Sequence, residues 1–325
     1  KTFPNIPEKK FVNFKTLHSL CYAHVPELRD NTMTDADYVS MGKMIPVNWQ
    51  DFRNGVVWEA PTDKEGNLNT SNPYLRAIQI ATVKKIPVLK YFESQKMDYS
   101  IKRSILKKVD EEYIRYKQEN NLFDYNDFLK KFCELPAGLT PQFKILIVDE
   151  CQDLSAIQWD CIRKMMDESG LEEVYFAGDD DQAIYEWAGA DVKQFRGLVH
   201  ECDKVIELQS SHRVPRKIHA LAERIIEQDT GRIQKTYLPS NKEGRIDYNV
   251  DSIEHKIKDI KKWINNNESV LVLCSFKKPL YEAETVLRNA GLRFDSARSN
   301  GLKETLVAAI TTWQRWNEEG KTLSG

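Results

Sequence analysis

No apolar run in the 325 residues approaches the ~20 that cross a membrane, which excludes a helical membrane span. No basic-then-apolar leader stands at Lys1 to Lys10. The six cysteines, Cys21, Cys133, Cys151, Cys161, Cys202 and Cys274, are scattered, with no CxxC pair and no histidine at zinc-like spacing. That argues against a disulfide framework or a structural zinc, and for reduced thiols in or near the core of a cytoplasmic protein. Charge of one sign is also lacking. Forty-seven Lys and Arg face 49 Asp and Glu, a net of −2, so any nucleic-acid surface must be local. Hydrophobic residues at 41% suffice for a core, and the length suggests two domains or one elaborated one.

What is present centres on Ile145 to Ala190. Lys144 to Val148 (KILIV) is a β-branched apolar run without alternation, the pattern of a strand covered on both faces of a parallel sheet. It ends at two adjacent carboxylates, Asp149 and Glu150, where open α/β sheets bind ligands. Ala156 to Met166 reads as a helix with Ile157, Cys161, Ile162 and Met165 on one stripe. Glu173 to Ala177 is a second apolar run, and Gly178 turns the chain at its end. Two nearby acidic strand ends suggest neighbouring parallel strands presenting one site. Nucleotide hydrolysis suits such a site. Asp149 can hold Mg²⁺ against phosphates, and Glu150 can orient or deprotonate the attacking water. Gln152 and Gln182 are neutral groups able to touch phosphate or water. A solvated loop after the strand is the alternative, and the second acidic turn, GDDDQ at Gly178 to Gln182, argues against it.

These residues resemble a known family. DECQD, Asp149 to Asp153, resembles the DExQD motif II of superfamily 1 helicases related to UvrD, Rep and PcrA. GDDDQAIYEWAGA, Gly178 to Ala190, resembles their motif III, GDxDQxIYxWRGA, with Ala188 in place of the usual Arg. Phe14 to Leu20 corresponds to motif Ib, whose Thr16 and His18 would lie along the single-strand track and donate to phosphates; Thr16 is alternatively a plain helix cap. QSSHRVP, Gln209 to Pro215, resembles motif IV, with His212 where an aromatic packs on adenine and Arg213 where an Arg reaches the γ-phosphate. Tyr185 and Trp187 are placed to stack on bases, worth about 1–3 kcal/mol per base; the other reading of Trp187 is core.

The resemblance implies an α/β fold: a RecA-like P-loop NTPase motor core with a parallel sheet, an inserted mostly helical subdomain, and part of a second RecA-like domain. Residues 1–25 and 121–203 would form the first motor domain, 26–120 the insertion, and 204–325 the partial second domain. It further implies ATP and Mg²⁺ as cofactors, and single-stranded DNA and duplex junctions as partners. Movement would be 3′ to 5′. Gln182 and Arg213 would sense or stabilise the γ-phosphate.

Elsewhere, Lys9 to Phe14 reads as a strand leading into a helix with Leu17, Leu20, Cys21 and Val25. Asp30 to Pro73 reads as an inserted, irregular region of short helices and loops. Ile101, Ile105, Val109 and Tyr113 mark the core stripe of a helix, with Lys102, Arg103, Lys107 and Lys108 on other faces, either solvated or in weak phosphate contact. Leu122 to Leu129 resembles the family's DFDDLL segment. Lys204 to Leu208 and Ser269 to Cys274 read as strands, and Gly231 to Asp251 as a linker or hairpin. A helix carries Ile218, Leu221, Ala222 and Ile225. Another runs through Tyr281, Ala283, Val286, Leu287 and Ala290 to a Gly291 C-cap. A last one carries Ala308, Ile310, Trp313 and Trp316.

The phosphate-cradling loop GxxxxGK[ST] is absent. The near match, Glu319 to Thr322, follows a helix, has Arg315 at the first glycine position and is flanked by acids. Motifs V and VI are absent too. The expectation is therefore the central portion of a helicase, cut at both ends and by itself inactive. The rival readings are the helicase part of a helicase–nuclease and a non-catalytic single-strand-binding remnant.

Overall fold

Several helices of the first unit start where a side chain takes up their first amide groups. The computed structural model describes residues 14–47, 56–62, 68, 70, 72–95, 101–248, 252–274 and 277–296. Thr16 Oγ1 accepts from the Ser19 amide at 3.2 Å and opens α1, Leu17–His24. Asn72 accepts from the amides of Tyr74 and Leu75 and, with Pro73 in the first turn, opens α3, Pro73–Val83. Asp124 accepts from Asn126 and Asp127 to open α6, Tyr125–Glu134. Ser155 and Gln158 form a reciprocal box that opens α7, Ala156–Glu168.

Two apolar cores follow. α2 (Asp35–Met44), α3, α4 (Val88–Ser94) and α5 (Arg103–Asn120) enclose the first, built on Tyr38, Met41, Tyr74, Leu75, Ile78, Leu106 and Val109. On α5 the expected stripe is realised at Val109 and Tyr113, completed by Leu106 and Tyr116, while Ile101 and Ile105 flank it half-buried. Lys102, Arg103, Lys107 and Lys108 are exposed. The second core joins α1, α6 and α7 through Leu20, Leu28, Phe128, Leu129, Phe132, Trp159 and Ile162. Large side chains buried this fully each contribute about 1.5–3 kcal/mol.

A buried polar floor lies between the two cores. Gln79 on α3 donates to the Tyr113 hydroxyl at 3.0 Å, and Tyr113 donates to Asp124 at 2.5 Å. Asn126 donates to Gln79 Oε1. Lys117 donates to Asp124 at 2.7 Å and Asp127 at 2.5 Å.

β1 (Ile145–Val148) and β2 (Glu173–Phe176) pair in parallel, with Ile145 opposite Glu173 and Val148 opposite Phe176. They are the neighbouring parallel strands the sequence implied. Their burial differs from expectation. Leu146, Val148 and Phe176 pack on the α7 side, whereas Ile145, Ile147 and Tyr175 are exposed, because no described element covers the opposite face. Lys204 to Leu208 and Ser269 to Cys274 also depart from the strand reading. Among the described residues neither has a ladder partner, and Leu208, Leu271 and Leu273 are largely exposed. An apolar run becomes a strand only where a neighbour takes its backbone hydrogen bonds.

After α8 (Val192–Gly197), α9 (Arg216–Ile226) forms where a helix was expected, with Ile218 and Ile225 exposed. The Gly231 to Gly244 stretch is no free linker. It lies back along the motif IV segment, with Ser211 N–H donating to Leu238 O, Ser240 N–H to Val214 O and Arg216 N–H to Lys242 O. The chain divides into two compact units at Gly244/Arg245. In the second, α10 (Ile253–Asn265) packs on α11 (Lys277–Asn289), burying Ile260, Ala283 and Leu287. Gly291, at φ +73°, closes α11 as its position in the sequence implied. The strand expected from Lys9 falls, but for Phe14, outside the described residues. So do the helix at Ala308 to Trp316 and the Glu319 to Thr322 match.

Candidate functional site

The two strand ends are stitched together beyond the strands themselves. Ala177 N–H donates to Val148 O at 2.8 Å, and Cys151 N–H donates to Ala177 O at 3.0 Å. Between them the chain reverses at Glu150, which sits in the left-handed region at φ +53°, ψ +44°. The reversal leaves Asp149 and Glu150 exposed at the strand end while Cys151 and Gln152 turn inward. Burial pushes the Cys151 thiol up to about 12, so it stays protonated near neutral pH.

Asp149 Oδ1 accepts from the Glu150 amide at 3.0 Å. Among the described residues neither Asp149 nor Glu150 forms an ion pair. Gln152 Nε2 donates to Glu150 Oε2 at 2.9 Å, and Gln152 Oε1 accepts from the Asp179 amide at 3.1 Å. Gln182 Nε2 donates to Asp179 Oδ2 at 2.7 Å. Glu150 and Gln182, 32 residues apart in sequence, thus belong to one hydrogen-bonded chain.

The second acidic turn behaves differently from the first. The carboxylates of Asp179, Asp180 and Asp181 lie within 4.8 Å of one another, a spacing that could suit a cation. Cationic side chains already fill that role. Arg196 Nε donates to Asp180 at 2.9 Å, Arg232 holds Asp181 through two bonds of 2.8 and 2.6 Å, and Lys235 reaches Asp179 at 2.6 Å and Asp181 at 3.2 Å. Burial opposes ionisation of Asp179 and Asp180. The bonds from Gln182 and Lys235 to Asp179, and from Lys235 to Asp180, outweigh it and hold both below the usual carboxylate range. Of the two acidic strand ends, only Asp149–Glu150 remains open to a cation.

Tyr185 and Trp187 project from the turn that follows. Trp187 is 54% exposed, which excludes the core reading, and its ring lies 6.3 Å from that of Tyr185. The Arg76 guanidinium, from α3, stands 5.0 Å over the indole. Both aromatics line a cavity of about 290 Å³ whose other walls include His18, Asn126, Asp153 and Gln158. His18 is 3% exposed, a buried wall of this cavity rather than a residue on an open track. Thr16, whose hydroxyl caps α1, does not line it.

His212 and Arg213 are exposed on a loop shaped by Ser211, whose Oγ accepts from the Arg213 amide at 3.2 Å and the Val214 amide at 2.9 Å. Among the described residues no hydrogen bond or ion pair joins them to Asp149, Glu150 or Gln182. The residues that sequence reading passed over are Arg76, Arg196, Arg232, Lys235 and Asn126. All act through partners distant in sequence. Only Gln158, in the Ser-x-x-Gln box, carried a local signal.

Residues 6–203 match the UvrD/REP helicase N-terminal domain. DNA helicase II of Escherichia coli (strain K12) is 30% identical over 176 residues, covering 52% of this chain and 22% of that protein. ATP-dependent DNA helicase Rep of Buchnera aphidicola subsp. Acyrthosiphon pisum is 24% identical over 262 residues, 74% of this chain and 37% of that protein. The Rep of Buchnera aphidicola subsp. Baizongia pistaciae is 31% identical over 123 residues, 35% of this chain and 18% of that protein. The chain therefore spans well under half the length of these relatives. With motifs II and III at stitched strand ends and the domain match over 6–203, the chain belongs to the UvrD/REP helicase N-terminal domain family.

Proposed function

We propose that this chain is the central portion of an ATP-dependent DNA helicase that moves 3′ to 5′ on single-stranded DNA, its first unit built on a RecA-like motor core. In this reading residues 1–25 and 121–203 belong to the first motor domain, 26–120 to an insertion over the DNA, and 204–325 to the second motor domain. The observation that carries it is the hydrogen-bonded chain Glu150–Gln152–Asp179–Gln182, which leads in the next turn to the exposed Tyr185 and Trp187. A hydrolytic centre and a stacking surface are thereby tied to one short segment.

The residues present fit a hard divalent cation. Asp149 is an exposed carboxylate with one oxygen turned to its neighbour's amide and no ion pair among the described residues, and Mg²⁺ takes such oxygen ligands while keeping several waters. Bound Mg²⁺–ATP would supply the phosphoryl group and the charge that neutralises it. Asp149 would hold the metal. Glu150 takes a proton from the attacking water. With nucleotide bound, Gln182 and Arg213 would contact the γ-phosphate, the latter as a cation for developing charge, and His212 would pack on the adenine. Tyr185 and Trp187 stack on bases, and Thr16, exposed at the start of α1, donates to a phosphate, while the buried His18 makes no direct contact.

DNA binding is the direct test on this chain. Titration with a labelled single-stranded oligothymidine should show binding, and Trp187→Ala should weaken it by about 5- to 150-fold, the equivalent of one stacked base. Arg76→Ala should weaken it less and lower the salt dependence, as loss of one cation does. Unaltered binding by Trp187→Ala would remove the stacking role. Hydrolysis is the test of the motor. The chain as it stands should turn over ATP poorly, while the chain extended in its reading frame should hydrolyse it with stimulation by single-stranded DNA. An extended protein without that stimulation would leave only a strand-binding module.

A further inference from the structure

We infer that Gln152 is a positioning residue that aims the Glu150 carboxylate and locks it to the end of the second strand; the inference rests on the hydrolytic role proposed for Glu150. The Gln152 side chain is 1% exposed, so it does not touch phosphate or bulk water, the role its position in the motif first suggests. Both ends of its amide are in use. The Asp179 N–H can only donate, so the atom facing it at 3.1 Å is the oxygen, Oε1. The amide nitrogen therefore faces Glu150 Oε2 at 2.9 Å, where a carboxylate can only accept. The orientation is fixed from both sides. Among the described residues no other side chain holds the Glu150 carboxylate.

Alternatives at position 152 fail one bond or both. Asparagine is a methylene short. Methionine fills the volume and makes neither bond. Glutamate keeps the acceptor for Asp179 but sets a second carboxylate against Glu150. The slot is also guarded from the other strand. A Cβ added at Gly178 would stand 2.7 Å from Gln152 Oε1 and 2.9 Å from the Phe195 ring. Glycine is needed there for space rather than for backbone freedom, since the left-handed residue of the pair of turns is Glu150.

The experiment has two readouts. In the chain itself, amide hydrogen exchange reports the Asp179 N–H. Gln152→Met, which preserves packing, should speed its exchange by about tenfold or more while the Ala177 amide, in the strand ladder, stays protected. Gly178→Ala should do the same by displacing the glutamine. In the ATP-hydrolysing extended protein, Gln152→Met should lower kcat by about 10- to 100-fold, with KM for ATP and affinity for single-stranded DNA changed less than about threefold. Gln152→Glu separates the two bonds. It should restore protection of the Asp179 amide and leave kcat low. A residue that merely stabilises the fold would lower all these quantities together. The inference is overturned if Gln152→Met leaves kcat within about threefold, or if Gln152→Glu restores it. A parent protein without hydrolysis overturns the hydrolytic role instead, whatever the exchange data show.

Discussion

Replacing Lys117 by methionine will destabilise the first unit by about 3–5 kcal/mol, read as a shift in the denaturant midpoint. Lys117 Nζ lies 2.7 Å from Asp124 and 2.5 Å from Asp127, with the three side chains only 12%, 3% and 13% exposed. Its ammonium also sits 4.5 Å over the Tyr113 ring. Methionine keeps the stem and removes the charge. Asp124 then still accepts from the Tyr113 hydroxyl and two backbone amides, but none of these carries a compensating charge, and Asp127 stands beside it. Lys130, 43% exposed and 3.5 Å from Asp127, offsets part of this at most. Adding Asp124→Asn to the variant should recover a large part of the loss, since it removes the stranded charge.

The pH dependence follows from the same groups. Burial works against ionised Asp124, but Lys117 outweighs it and holds the carboxyl below the usual range. That contribution is present above the unfolded-state value near ~4 and is lost as pH falls through the folded one. Burial likewise opposes the Lys117 ammonium, and the two carboxylates outweigh it, raising it. That contribution is full below the unfolded value near ~10.4 and is lost as pH rises through the folded one. The gap between parent and variant is therefore widest between about pH 5 and 9.

If a longer protein containing this chain hydrolyses ATP as proposed, Glu150→Gln in it should reduce turnover by about 10²- to 10⁴-fold with little change in fold or in nucleotide affinity. The replacement is isosteric, and its amide oxygen can still accept from Gln152 Nε2, as Glu150 Oε2 does at 2.9 Å. The left-handed backbone is equally demanding of either residue. What disappears is the ability to take a proton. Single-turnover and steady-state measurements, with and without single-stranded DNA, check it. Turnover within about threefold of the parent would remove Glu150 from the proton-transfer role.

Local pattern carried much of this architecture. The apolar runs at Ile145 and Glu173, the stripe on α5 and the Gly291 cap all announce themselves within a few residues, because periodicity and backbone preference are local properties, whereas Gly178, expected for its backbone freedom, is needed for the space that Gln152 and Phe195 leave. The spacing of the two acidic motifs likewise points to Glu150 and Gln182 sharing one neighbourhood. Pairings over distance were not legible. Nothing near Trp187 points to Arg76, and nothing near Asp180 or Asp181 points to Arg196, Arg232 and Lys235, so an ion-paired turn read as an open acidic one. Apolarity at Ile147, Leu208 and Leu271 shows what a run would prefer to bury, but coverage depends on which elements arrive to cover it.

The single left-handed glutamate sets stability against turnover at one position. A non-glycine residue there costs on the order of 1 kcal/mol of backbone strain, which glycine or asparagine would ease. Those are the substitutions that a search for thermostable variants would favour, and both lack the carboxylate that the proposed chemistry needs. Selection for robustness alone would therefore drift this site toward a sturdier, silent protein. On the proposed reading, Glu150 gives up backbone comfort for the carboxylate that the hydrolytic step uses.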